Sequence, residues 1–212
     1  MFKDELGEKG TDYIARMKNA AQRMSNLIND LLEFSRVTTR GIDFTDTNLN
    51  SILNDILSDL EIAINESNAQ VITVDMPIIQ ADPSQMHQLF LNLISNAVKF
   101  RAPNVNPVID ISFERISEFS EDHNSKVSWH VITVKDNGIG FSAEYADKIF
   151  VPFQRLHGRS QYKGTGIGLS VCRRIVERHG GTITAISTPN EGATFIIKLP
   201  VDAELFTLQG EA

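Results

Sequence analysis

The segment HQLFLNLISNAVKF, His87 to Phe100, combines two patterns that conflict in an ordinary core helix. Leu89, Leu91, Leu93, Ile94 and Val98 make it largely apolar, as a buried helix would be. Yet Gln88, Asn92, Asn96 and Lys99 fall at i, i+4, i+8 and i+11, near one face of the same helix. Amides buried without partners cost free energy, and no sequence neighbour supplies partners here. Amide oxygens suit a hard cation and an ammonium suits phosphate. Together they point to a magnesium-bound nucleotide, because Mg2+ takes oxygen ligands and shares them with phosphates. Asp82-Pro83-Ser84 reads as the start of this helix.

Two glycine segments lie further along. VKDNGIGF, Val134 to Phe141, sets Asp136 at the end of a buried strand, and Gly138 and Gly140 let the backbone turn sharply after it. The carboxylate can accept from a ligand N–H, or serve only as a turn residue. YKGTGIGLSVCRR, Tyr162 to Arg174, places Gly164, Gly166 and Gly168 at alternate positions before an apolar helix. A dinucleotide fingerprint needs glycine where Leu169 stands. A P-loop needs Lys and Ser or Thr where Leu169 and Ser170 follow Gly168. What remains is a loop whose backbone N–H groups open a helix. That arrangement favours anions, and is equally compatible with a plain turn.

Around these segments the chain alternates helices and strands. Leu49, Ile52, Leu53, Ile56, Leu57 and Leu60 mark a helix, and Val71 to Met76 a strand. Val108 to Phe113 and Val127 to Val134 read as strands joined by a polar hairpin loop over Ser117 to Ser125. Phe141 to Gly164 holds a short helical piece and then a polar run. The last two strands, Thr182 to Ser187 and Ala193 to Leu199, flank the turn Pro189-Asn190-Glu191-Gly192. The expectation is an α+β fold, with helices layered on a mixed, largely antiparallel sheet.

A long amphipathic helix over Thr11 to Val37 precedes this layer. Tyr13, Met17, Ala20, Met24, Leu27, Leu31 and Phe34 are spaced alternately four and three apart, with Ile14, Ala21 and Ile28 alongside. Thr11 or Asp12 is placed to cap its start, and Gly41 lies beyond its end. So regular a seam reads as a dimerisation surface; the alternative is a helix packed on its own domain.

The 212 residues suffice for one sizeable core, and a net charge of −7 argues against a nucleic-acid footprint. The single cysteine, Cys172, excludes an intrachain disulfide and fits a reducing compartment. No apolar run approaches a membrane span. A cytoplasmic location is expected, whether or not a longer parent protein is membrane-attached.

Taken in order, NLISNAVKF, DNGIGF, FVPFQRL and GTGIGLSV resemble the N, G1, F and G2 boxes of the ATP-binding domain of sensor histidine kinases. That domain has the Bergerat fold, a two-layer α/β sandwich shared with gyrase-type and Hsp90-type ATPases. FQRLHGRSQYKGTGIGL is similar to the phytochrome-type branch. The resemblance implies ATP and Mg2+ as ligands. Asn96 would ligate the metal, Asn92 would support it, and Lys99 would contact phosphate. These three would carry catalysis. Asp136 would accept from the adenine amino group, and Gly138 and Gly140 would shape the base pocket. Phe141 to Gly164 would be a lid, with Phe150 and Phe153 as anchors and Arg155 reaching the phosphates. Gly164, Thr165, Gly166, Gly168 and Leu169 would bring the lid's end to the triphosphate.

The long helix, with NLINDLLEFSRV at its end, resembles the second helix of the family's dimerisation and phosphotransfer hairpin. The implied division is residues 1–40 for this helix, 41–204 for the ATP-binding domain and 205–212 for a tail. No histidine precedes His87, and none of His87, His123, His130, His157 and His179 is followed by Glu or Asp. The phosphoacceptor histidine is therefore expected on a helix outside this chain, and autophosphorylation is not expected. All five histidines read as surface or packing residues, with His179 a cation favoured at a helix C-terminus. The implied partners are that phosphoacceptor helix, a response-regulator receiver domain and, in the parent, a second copy. Two alternatives stand: a nucleotide-binding module without chemistry, and an ATPase of another Bergerat branch. The latter carries a catalytic Glu where this chain has Gln88.

Overall fold

The computed structural model describes residues 7–39, 43–120, 125–156, 162 and 164–202. Helix α1 spans Gly7–Thr39, β1 Thr45–Asn48, α2 Leu49–Asp59, α3 Glu61–Ser67, β2 Gln70–Thr73 and β3 Ile78–Ala81. Helix α4 spans Pro83–Lys99, β4 Val108–Ser120 and β5 Ser125–Asp136. After two short 3-10 turns come α5 (Gly168–Arg178), β6 (Thr182–Thr188) and β7 (Gly192–Pro200). Five strands form one sheet in the order β2-β4-β5-β7-β6, and only the β2–β4 pairing is parallel. Strands β1 and β3 make a separate antiparallel ribbon.

Alternation along the strands divides the sheet's faces. In β6 every second residue is buried, and Ile183 and Ala185 join Ile109, Ile111, Ile132, Val134, Phe195 and Ile197 in the core. Helices α2, α4 and α5 cover that face, and α4 packs against both of the others. Leu89, Phe90, Leu93 and Ile94 of α4 have no exposed surface. The expected two-layer α/β sandwich with a mixed, largely antiparallel sheet is the one found.

Caps set the helix starts. Asn48 accepts from the N–H groups of Asn50 (2.9 Å) and Ser51 (3.2 Å) at the head of α2. Asp82 accepts from those of Ser84 (3.0 Å) and Gln85 (3.2 Å) at the head of α4, with Pro83 in the first helical position.

Four readings are corrected. Helix α1 already runs at Gly7, and the Thr11 hydroxyl donates back to the Gly7 carbonyl, so neither Thr11 nor Asp12 caps its start. The stretch 117–125 is not one loop: β4 continues to Ser120 and β5 begins at Ser125, since cross-strand pairing holds even polar residues in register. Leu60 ends α2 rather than continuing it, and α3 follows. His179 is not a cation at the C-terminus of α5. It is 4% exposed, stacks on Phe44 (ring centroids 4.4 Å apart) and has its pKa pushed down to about 4, chiefly by burial. Its Nδ1 lies 2.7 Å from the Ile175 carbonyl and its Nε2 accepts from the Asp82 N–H, which fixes a neutral tautomer. Gly41, His123, His157 and the tail 205–212 lie outside the described residues. Among the described residues no helix is long and apolar enough to cross a membrane.

Candidate functional site

A cavity of about 330 Å³ opens between α4, the segment after β5 and the start of α5. It collects Asn92, Asn96, Lys99, Asp136, Gly140, Arg155, Gly164, Thr165, Gly166, Gly168 and Leu169 from four separate parts of the chain. Helix α4 contributes through its 3.6-residue repeat: one face packs on the sheet and leaves the polar row to line the cavity. Gln88 stands in that row as well.

Asp136 ends β5. Its Oδ1 accepts from the N–H groups of Gly138 (2.8 Å) and Ala193 (3.2 Å), and among the described residues its Oδ2 has no partner. Burial raises its pKa, and the two backbone donors partly oppose that shift. The turn that follows needs glycine. Gly140 has φ +59°, and a Cβ there would come 2.1 Å from the Thr188 carbonyl oxygen. Gly138 does not line the cavity. It packs behind the wall, where a Cβ would sit 2.5 Å from the Phe100 carbonyl oxygen.

Lys99 lines the same cavity from the last turn of α4. Its ammonium sits 4.3 Å from the centre of the Phe100 ring, and among the described residues no carboxylate pairs with it. Burial lowers its pKa, and the Arg155 charge lowers it further. Two cations without an acid between them make a basin of positive potential. Helix α5 begins in the cavity lining, its first residue beside Asn92, with no side-chain cap, so its first N–H groups favour an anion there. Gly164 has φ +147°, a conformation that strains other residues, and lies beside the Lys99 ammonium, which a Cβ there would approach to 2.8 Å.

Asn92 and Asn96 are used differently. The Asn92 amide nitrogen donates to the Gly168 carbonyl (3.3 Å), tying α4 to the first residue of α5. The Asn96 side chain makes no hydrogen bond to another described residue. It therefore keeps an amide oxygen for a ligand.

The guanidinium of Arg155 donates to the carbonyls of Tyr162 (2.6 Å) and Gly164. It binds the lid's own backbone, a use that residue type alone does not reveal. Phe150 is buried, edge-on to Phe195 and under the Arg173 guanidinium (4.2 Å), and does not line the cavity. Phe153 is 57% exposed with φ +64°, its N–H donating to the Gly166 carbonyl (3.0 Å). Sequence reasoning missed the apolar wall, which includes Phe100, Ile139, Phe141, Ile167 and Phe195, and the ring of Tyr162. Phe100 follows Lys99 directly, so the polar row itself pointed to it.

Comparison with known proteins places this geometry. Cyanobacterial phytochrome A of Nostoc sp. is 38% identical over 200 residues, 94% of this chain and 25% of its own length. The chain thus spans about a quarter of the length of such curated relatives. The catalytic domain of histidine kinase ThkA superposes with a TM-score of 0.60 at 29% identity, over 77% of this chain and 99% of that domain. ThkA in complex with the response regulator protein TrrA gives a TM-score of 0.65 at 26% identity, over 93% of this chain and 53% of that one. The fold is therefore that of histidine kinase catalytic domains. Residues 81–203, from the last residue of β3 to just past β7, match the family described as histidine kinase-, DNA gyrase B- and HSP90-like ATPases, and the chain belongs to it.

Proposed function

We propose that this chain is the ATP-binding catalytic part of a sensor histidine kinase. In this reading it holds Mg2+-ATP and presents the γ-phosphate to a histidine on another helix. The carrying observation is the set of groups that one cavity collects: among the described residues Asp136 keeps one oxygen without a partner, and neither Lys99 nor Arg155 pairs with an acid. An acceptor for the adenine amino group and a cationic basin for the triphosphate are what ATP requires. Gly164, Thr165, Gly166, Gly168 and Leu169 would surround the phosphates, and Gly138, Phe150 and Phe153 would act from behind the wall.

The donors fit Mg2+. Asn96 keeps an amide oxygen, and among the described residues no cluster of three acidic, histidine or cysteine side chains forms a protein cage. This is the donor set of an ion that takes most of its oxygens from phosphate and water. Bound there, Mg2+ would neutralise charge on the phosphates. The protein's own contribution is to position them, through Lys99 and the open start of α5.

Transfer is favoured over hydrolysis. Asp136 is the only carboxylate among the described lining residues, and the position of the other branches' catalytic Glu is Gln88. By analogy with the ThkA complex, a receiver domain is the downstream partner, and residues 1–40 are a hairpin helix that pairs in a homodimer of the parent. Residues 41–204 are then the ATP-binding domain.

Calorimetric titration with ATP and Mg2+ tests the site. Asp136→Asn should weaken binding about ten- to a hundredfold, because a hydrogen bond to a charged acceptor contributes about 1.5–3 kcal/mol. Asn96→Ala should remove most of the magnesium-dependent part. Unchanged affinity in both variants would refute the placement. Adding a separate histidine-bearing hairpin domain and γ-labelled ATP then distinguishes a kinase from a silent binding module.

A further inference from the structure

We infer that Ser187 is a further positioning residue of the nucleotide site: its hydroxyl orients the Gly192–Ala193 peptide, and through it the Asp136 carboxylate, for recognition of the base. The inference deepens the nucleotide reading above and rests on it. Ser187 does not line the cavity. It stands in β6 where alternation turns the side chain to the core with Ile183 and Ala185, and it is 9% exposed. A hydroxyl at such a position needs partners.

Both of its roles are filled. The Ser187 hydroxyl donates to the Gly192 carbonyl (2.6 Å) and accepts from the Phe141 N–H (2.9 Å). The Gly192 carbonyl belongs to the same peptide unit as the Ala193 N–H, which donates to Asp136 Oδ1 (3.2 Å). A peptide unit is planar, so a hold on its carbonyl fixes the direction of its N–H. Ser187 thus aims that N–H at one oxygen of Asp136. The Gly138 N–H meets the same oxygen, which leaves Oδ2 for a ligand donor. The bond to Phe141 fixes the facing wall. Phe141 closes the turn that Asp136 opens, and Ile139, Gly140 and Phe141 all line the cavity. The Ile139 carbonyl accepts from the Asn190 N–H (2.7 Å), so the turn is docked on the β6–β7 hairpin from several sides. The two backbones leave no room for side chains between them: a Cβ on Gly192 would run into the Asp136 carbonyl oxygen. The hairpin's bonds through Asn190 and Ala193 come from backbone N–H groups, so a substitution at Ser187 removes its hydroxyl's part alone.

Calorimetric titration with Mg2+-ATP and with Mg2+-ITP isolates the base, because ITP carries an oxygen in place of the adenine amino group and the same triphosphate. The wild type should prefer ATP. Ser187→Ala should narrow the ratio of the two dissociation constants about two- to tenfold, the range of one neutral hydrogen bond, with ITP affinity changed less than twofold. Ser187→Cys fills the same space with a weak donor and acceptor and should narrow the ratio as well, which keeps the test open if the alanine variant fails to fold. Ser187→Thr keeps the hydroxyl on a residue suited to a strand and should restore the wild-type ratio, which a general loss of packing would not allow. An unchanged ratio in the alanine and cysteine variants, or equal losses for ATP and ITP, would overturn the role of Ser187 alone. A wild type that binds neither nucleotide, or both equally, would overturn the nucleotide reading and this role with it.

Discussion

Helices α1 and α4 carry equally clear apolar faces and meet opposite fates. In α4, Leu89, Phe90, Leu93 and Ile94 are completely buried between α2, α5 and the sheet. In α1, Met17 is 71% exposed, Tyr13 63%, Met24 61% and Leu31 52%, although the helix also touches the sandwich through α5. Periodicity states that a face is to be covered, not by what. For α4 the cover is in the chain. For α1 it is not among the described residues.

The largest test of this contrast is a truncation in each helix. Leu93→Ala should cost about 3–5 kcal/mol, the transfer term plus the cavity it leaves. Met17→Ala should change stability by less than about 0.5 kcal/mol in the isolated chain. Urea unfolding at several protein concentrations measures both. A large, concentration-dependent loss for Met17→Ala would show that α1 is covered in solution and would break the contrast.

The second test uses pH and acts on the sandwich alone. His179 is held near pKa 4, against an ordinary value near 6.5, first by burial and then, among other neighbours, by the Arg178 charge; the Ile175 carbonyl and Asp82 oppose the shift. A histidine whose folded pKa is depressed is neutral in the native state while the unfolded chain takes up a proton. Its contribution to stability is complete above about pH 6.5 and is lost as pH falls towards 4, by about 3 kcal/mol. The quantity to measure is the difference in urea midpoint between wild type and His179→Gln across pH 7, 5.5 and 4. It should narrow steadily on acidification, and a difference independent of pH would rule out the buried neutral imidazole. The melting of α1, followed separately, should show no such window.

His179 also shows where sequence reading succeeds and where it stops. Its position follows Ile175 by four and Val176 by three, on the buried face of α5, so periodicity could have marked it as core. The basic-residue preference of helix ends obscured that. Helix α4, the β6–β7 hairpin and the polar row of Asn92, Asn96 and Lys99 were readable, because each has a strong repeat and a turn or cap at its ends. Strands β1 and β3 were not. Each has four residues, and Thr45–Asn48 has no apolar alternation to betray it; the pairing of Thr45 with Ala81 defines it only in space. In the site, helical spacing was enough to bring Asn92, Asn96 and Lys99 to one cavity wall. That Arg155 binds backbone carbonyls and that Gly138 packs behind the wall depend on tertiary geometry, which no local pattern encodes.

A middle-sized effect should follow from Asn48, which links β1 to α2. Asn48→Ala removes the acceptor for two N–H groups at the helix start and should cost about 1 kcal/mol in the same urea assay. A loss below the error of the measurement would mean that water replaces the cap.

The smallest effect belongs to α1 itself. With its seam exposed, much of the support for its first turns is local, and the Arg16–Asp12 pair at 2.9 Å is one such contact, four residues apart on an open surface. Pairs of this kind contribute a few tenths of a kcal/mol and are screened by salt. Here the acid precedes the base, the favourable order along a helix. Arg16→Ala should therefore lower the helical circular-dichroism signal slightly in low salt and not at all in 1 M salt, while the sandwich's urea midpoint stays unchanged. Equal losses at both ionic strengths would mean that the Arg16 side chain acts by packing its aliphatic stem rather than by charge. The seam would then be covered nearer its start than the exposed Tyr13 and Met17 suggest. If the salt-dependent loss is found, α1 is held by weak local pairs at this end and α4 by burial throughout, and the two helices differ in energetics as they do in exposure.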